Sequence, residues 1–188
     1  MKEQINKIIE EHKKMVEELQ ENGIDTIEEI ANVISKTIRK GGTLYICGNG
    51  GSAADAQHIA GEFIGRFLIN RKALPAVALS TDTSVLTCVA NDYDFEDIFA
   101  RQVEALMKKQ DCLWAFSTSG KSPNILKAAK LAKKIGAKII AFTGKKNTPL
   151  EKISDVCLSA EAQYTYASQE IHQIAYHIIC GLVEKQFS

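Results

Sequence analysis

The stretch TLYICGNGGSAADAQHIAGEFIGRF, residues 43–67, decides the fold. Its apolar run Leu44–Cys47 has the composition of a buried strand, Gly48-Asn49-Gly50-Gly51-Ser52 is a loop, and the alanine-rich remainder through Arg66 is helical. Strand, glycine loop and helix in that order aim free backbone N–H groups and the positive end of a helix dipole at an anion. His58 and Glu62 stand four residues apart on that helix. They therefore share one face, about 6 Å apart along the axis. An anion cradle and a His/carboxylate pair on one element point to an active site.

Toward the C-terminus the pattern alternates. Strands are expected at 43–47, 75–79, 111–116, 137–142 and 155–159. Helices are expected at 52–66, 94–108, 122–135 and 164–186, with a shorter one around 83–89. Near-continuous apolar strands alternating with helices imply an α/β fold: a parallel five-stranded sheet flanked by helices on both faces. Ligands in such sheets bind beyond the carboxyl ends of the strands, where loops 48–52, 80–84 and 117–122 are rich in small polar residues. Toward the N-terminus, residues 2–21 form a polar helix with an apolar stripe of Ile5, Ile8, Ile9, Met15, Val16 and Leu19. Asn22-Gly23 stops it, and Asp25 or Thr26 can cap a second helix through Arg39, with Ile27, Ile30, Val33, Ile34 and Ile38 facing inward. The core already has its crossover helices, so the first helix is expected to pack in an oligomer, against another subunit.

The 188 residues suit a single domain over 1–188, with 1–40 as helices at an oligomer interface and 41–188 as the α/β core. Lys+Arg and Asp+Glu balance at 23 each, which gives no electrostatic ground for a nucleic acid or an anionic membrane as partner. No apolar run approaches the roughly 18 residues of a membrane span, and the start of the chain lacks the apolar centre of a signal peptide, so a cytoplasmic protein is expected. The five cysteines are scattered and without a CxxC spacing. They read as free, buried thiols in a reducing compartment.

The run Ser117-Thr118-Ser119-Gly120-Lys121-Ser122 precedes a helix opening at Ser122-Pro123. A capped turn explains part of it, but the hydroxyls of Ser117, Thr118, Ser119 and Ser122 exceed what one cap needs. Hydroxyls beside free helix N–H groups suit a monophosphate. The run lacks the upstream glycine of a Walker A loop, and CGNGGSA lacks the G-x-G-x-x-G spacing of a dinucleotide fold. On the last helix Gln169 and His177 are eight residues apart, about 80° around the axis, so both can face one site. An amide, imidazoles and a carboxylate form a borderline-metal set, although one sequence cannot pair ligands from two helices. His172 points off that face and reads as structural. Asn91-Asp92 fits a turn, a cap or a sugar-hydroxyl partner, and nothing local separates these.

The segments GNGGSAADAQHIAGEFIGRF, TDTSVLTCVANDYDFEDIFARQVEAL, STSGKSPNIL and QEIHQIAYHI together resemble the bacterial phosphoheptose isomerases of the sugar isomerase (SIS) superfamily, from about Asn32 to the C-terminus. The resemblance implies a flavodoxin-like SIS fold and a homotetramer cored partly by N-terminal helices. It also implies one divalent ion per subunit, usually zinc, and interconversion of sedoheptulose 7-phosphate with D-glycero-D-manno-heptose 7-phosphate. By position it makes His58, Glu62, Gln169 and His177 metal ligands, Glu62 the catalytic base and His177 its acid partner. It places substrate contacts at Asn49, Gly50, Gly51, Glu62, Asn91, Asp92, Ser117, Thr118, Ser119, Ser122 and Gln169. Where members often carry Arg, two positions before the glutamine, this chain has Ala167, and where some carry an acidic residue it has Tyr166. One non-catalytic relative, which associates with a replication initiator, lacks counterparts of Glu62 and His177; both are present here. An isomerase for another sugar phosphate is the third reading, although such relatives typically bear extra regulatory domains.

Overall fold

The computed structural model describes residues 1–188. Five strands, β1 (Leu44–Cys47), β2 (Ala76–Ala78), β3 (Cys112–Ser117), β4 (Lys138–Thr143) and β5 (Val156–Ser159), form one all-parallel sheet in the order β2-β1-β3-β4-β5. This is the flavodoxin-like order, whose switch point lies between β1 and β3. Eight helices surround it: α1 (Lys2–Asn22), α2 (Ile24–Arg39), α3 (Gly51–Ile64), α4 (Thr83–Asp92), α5 (Ala100–Leu106), α6 (Pro123–Ile135), α7 (Pro149–Ile153) and α8 (Thr165–Lys185). Successive strand residues point to opposite faces, so the core divides in two. Leu44, Ile46, Trp114, Phe116, Ile140 and Phe142 meet α2, α3 and α8, while Tyr45, Cys47, Leu113, Ala115, Ile139 and Ala141 meet α5 and α6. All six residues of β3 are buried, as expected of a central strand covered on both sides.

Several local expectations change. The helix expected over 94–108 is a single 3-10 turn at Phe95–Asp97 followed by α5, because the Asp94 carboxylate accepts from Glu96 N–H and turns the chain there. The short α7 arises from a capping box: Thr148 Oγ1 accepts from Glu151 N–H while the Glu151 carboxylate accepts from Thr148 N–H. Neither Asp25 nor Thr26 caps the second helix, which begins at Ile24 directly after Gly23. The thiols are all free, but Cys88 is exposed and Cys157 half-buried, so only Cys47, Cys112 and Cys180 fit the expected burial. No residue of α1 is buried within the chain.

Candidate active site

Helices α3 and α8 lie against each other on one face of the sheet, and three side chains meet between them. His58 Nε2 is 3.2 Å from Glu62 Oε1 and 3.4 Å from His177 Nε2. One ligand atom from each of the three lies within 4.8 Å of the others. Around a tetrahedral zinc with bonds of about 2.0–2.1 Å, neighbouring ligand atoms stand roughly 3.3 Å apart. The two separations from His58 Nε2, 3.2 and 3.4 Å, are close to that spacing, and two imidazoles with a carboxylate suit a borderline divalent ion. Partial burial and the neighbouring His58 push the His177 pKa down, against the opposing pull of Glu62. Its ring is therefore neutral near pH 7, the form that ligates.

Packing fixes these groups. Phe67 stacks on the His177 ring at 5.7 Å and 11°. The Glu184 carboxylate, 1% exposed, accepts from the N–H groups of Phe67, Leu68 and Ile69 at 2.6–2.9 Å. Arg71 Nε approaches the same carboxylate at 3.2 Å, while the Arg71 fork donates to the carbonyls of Glu62 and Phe63. Burial raises the Glu184 pKa, but these N–H donors and Arg71 more than offset it and hold the carboxyl below its usual range. The C-terminal end of α3, which carries Glu62, is thus tied to α8, which carries His177. Behind His58, the fully buried Tyr176 brings its hydroxyl to 3.1 Å from His58 Nδ1 and 3.4 Å from Asp55 Oδ1. The sequence reading passed over Asp55 and Tyr176, although Asp55 is three residues before His58 and Tyr176 adjoins His177.

The two loops after β1 and β3 are bound to each other. Asn49 and Asn124 exchange a reciprocal pair of amide hydrogen bonds, both 2.9 Å, so the glycine loop sits on the first turn of α6. Gly48 passes so close to Ser52 that a Cβ would lie 2.5 Å from its carbonyl oxygen, and Gly50 has φ +56°. Only glycine suits this tight entry into α3. In the second loop Ser122 makes no side-chain capping bond; its hydroxyl lies 2.9 Å from Ser117 Oγ, with Ser119 Oγ 3.4 Å from the same atom. The hydroxyls face one another; in the first turn of α6 Pro123 has no N–H, Ile125 N–H donates to Asn124 Oδ1 and Leu126 N–H to the Ser122 carbonyl, which leaves the Asn124 N–H beside them.

Residues 8–144 match the SIS domain family model. The phosphoheptose isomerase of Burkholderia pseudomallei (strain 1710b) is 50% identical over 159 residues, covering 85% of this chain and 81% of that protein. The phosphoheptose isomerase of Thermodesulfovibrio yellowstonii is 46% identical over 184 residues, covering 98% and 92%. The solved phosphoheptose isomerase structure from Neisseria gonorrhoeae superimposes with a TM-score of 0.92 at 34% identity, covering 98% of both chains. The chain belongs to the phosphoheptose isomerase family. Of the four ligand positions expected from the sequence resemblance, His58, Glu62 and His177 converge. The amide of Gln169, on the same face of α8, rests over Gly51, where a Cβ would lie 2.7 Å from its Oε1. Asn91 and Asp92 end α4 exposed, with Asn91 Nδ2 donating to Asp92 Oδ1 at 2.8 Å and no hydrogen bond to the other site residues. His172 is buried with Nε2 3.0 Å from the Thr143 carbonyl oxygen, as its structural reading requires. No helix is long and apolar enough to cross a membrane.

Proposed function

We infer that this chain is an aldose–ketose isomerase that interconverts D-sedoheptulose 7-phosphate and D-glycero-D-manno-heptose 7-phosphate, supplying nucleotide-activated heptose for surface glycans, and that residues 1–188 act as one SIS domain. The observation that carries the reading is the His58/Glu62/His177 group on two paired helices, beside a loop pair whose serine hydroxyls cluster at the N-terminus of α6. The phosphate is held by Ser117, Thr118, Ser119, Ser122 and the start of α6. Asn49, Gly50, Gly51, Asn91, Asp92 and Gln169 hold the polyol. The reaction moves a proton between C1 and C2 through an enediol. Glu62 takes it: Oε1 faces His58 and Oε2 has no protein partner, so the carboxylate can accept a proton from carbon. The neutral His177 ring is the acid partner: its N–H gives a proton to the sugar oxygen that becomes anionic and takes one back as the new carbonyl forms, while its other nitrogen keeps the lone pair that a cation would take. His58, Glu62, Gln169 and His177 would hold a divalent zinc ion, whose charge stabilises an enediolate. The protein works in the cytoplasm as a homotetramer, without nucleic acid or membrane. The apolar stripes of α1 (Ile5, Ile9, Val16) and α8 (Ile174, Ile178, Leu182), all at least 36% exposed, support that assembly.

A non-catalytic initiator-binding role gives no account of a base and a proton shuttle brought together, and it predicts no turnover of any ketose phosphate. The deciding experiment assays the purified protein over a panel of ketose phosphates with and without zinc. Turnover of sedoheptulose 7-phosphate is expected, and Glu62→Gln should lower kcat/KM by at least about 10²-fold, the scale of general base catalysis. Unchanged turnover in that variant removes Glu62 as the base.

A further inference from the structure

We propose that Tyr176 is a positioning residue: its hydroxyl, backed by Asp55, fixes the ring of His58 in the tautomer that turns a lone pair at Nε2 toward Glu62 and His177. The inference deepens the metal-site reading above and rests on it. The tyrosine ring is 0% exposed, and its hydroxyl lies within reach of both His58 Nδ1 and Asp55 Oδ1. A phenol has one proton. An ionised Asp55 has none to give, so the hydroxyl donates to Asp55 and accepts from Nδ1–H of His58. Nδ1 then carries the ring proton and Nε2, 3.2 Å from Glu62 Oε1 and 3.4 Å from His177 Nε2, is left bare. The second oxygen of Asp55 is buried with no partner, which leaves Tyr176 as the one hydrogen-bond donor to that carboxylate.

Packing alone does not require the hydroxyl. A phenylalanine ring would fill the same space between α3 and α8, and burying an unneeded phenol oxygen costs free energy. Histidines that bind metals commonly hand their other ring proton to a carboxylate. Here a tyrosine stands between the imidazole and the carboxylate, because Asp55 and His58 are three residues apart on α3 while Tyr176 arrives from α8. Without the hydroxyl, Nδ1–H loses its acceptor. The proton can then move to Nε2, where the Glu62 carboxylate accepts it, and an entering cation must displace that proton first.

The test is zinc affinity of the full chain, measured by competition with a chromophoric chelator, for the wild type, Tyr176→Phe, Asp55→Asn, the double variant and His58→Ala. Tyr176→Phe should bind zinc about 10- to 100-fold more weakly, the usual cost of losing a group that orients a ligand. The metal-free Tyr176→Phe protein should keep its melting temperature to within a few degrees. Asp55→Asn should weaken binding too, and the double variant should bind no more weakly than Tyr176→Phe, since a relay is broken only once. Affinity within twofold of wild type for Tyr176→Phe, with zinc lost in His58→Ala, overturns the role of Tyr176 and leaves the metal site standing. Zinc retained in His58→Ala overturns the metal site and the inference with it. Additive losses in the double variant overturn the relay. If Tyr176→Phe does not fold, Asp55→Asn decides, and unchanged affinity there counts against the inference.

Discussion

His172 stands between Phe116 and Phe142, ring centroids 6.0 and 5.1 Å away, with its Nε2–H directed at the Thr143 carbonyl and its Nδ1 buried without a partner. Burial pushes its pKa down to about 4, against the opposing pull of the Thr143 carbonyl. The folded state therefore binds fewer protons than the unfolded chain between about pH 6.5 and 4. Its neutral form contributes stability that is complete above about pH 6.5 and is lost as pH falls through that window. At about 1.4 kcal/mol per pH unit the loss is about 3 kcal/mol. Unfolding free energies of the wild type and His172→Gln from denaturant titrations should converge by about that amount between pH 7 and 4, and a constant difference would show that His172 does not titrate with folding. At this scale spacing on a helix put His58 with Glu62 and Gln169 with His177, because it says which side chains share a face, but only the family resemblance joined the two pairs. The sequence concealed Asp55 and Tyr176. Their significance lies in a contact across two helices 118 residues apart in sequence, which no local pattern carries.

Among the elements, the α/β alternation was legible because each buried strand is a short apolar run and each helix shows a periodic one. The breaks were not: Asp94 redirects the chain by a side-chain bond, and α7 is too short for periodicity to register. The Thr148/Glu151 pair had the spacing of a capping box and could have been found. Asn124, 2% exposed, was also missed as a site element, and it carries a prediction. Its amide joins the glycine loop to α6 through Asn49, and its Oδ1 also lies 2.9 Å from the Ile125 N–H. Asn124→Leu leaves the Asn49 amide without its partner beside the loop after β3, the proposed phosphate site. We expect a loss of about 1–3 kcal/mol in stability, and a rise in KM for the sugar phosphate on the order of tenfold with a smaller change in kcat. A calorimetric melt and a substrate titration check both. An unaltered KM would mean that the loop pair is held by other contacts.

For the whole molecule, the α/β alternation implied a parallel sheet covered on both faces, while its strand order β2-β1-β3-β4-β5 was legible only through the family resemblance. The surroundings of α1 were not legible, because none of its residues is buried within the chain, and the homotetramer proposed above would cover it with another copy. Within one chain α1 buries nothing, leaving Ile5 50%, Ile9 48% and Val16 39% exposed, and α8 adds Ile174, Ile178 and Leu182 at a spacing of four. His12 also reaches Glu170 on α8, so α1 is held along α8 with this apolar stripe outward. Replacing Ile9 and Val16 together by Glu puts two charges where a second copy would bury apolar surface, at a cost that a subunit contact cannot absorb. Light scattering should then show species well below four times 20.7 kDa, whereas a persisting tetramer would place the interface elsewhere. The catalytic consequence follows from exposure. In one protomer the His58 side chain is 43% exposed and Glu62 22%, so an enediolate formed there would meet water. If neighbouring copies exclude that water, the dissociated variant should lose kcat while KM changes little, because the proposed phosphate site lies within a single chain.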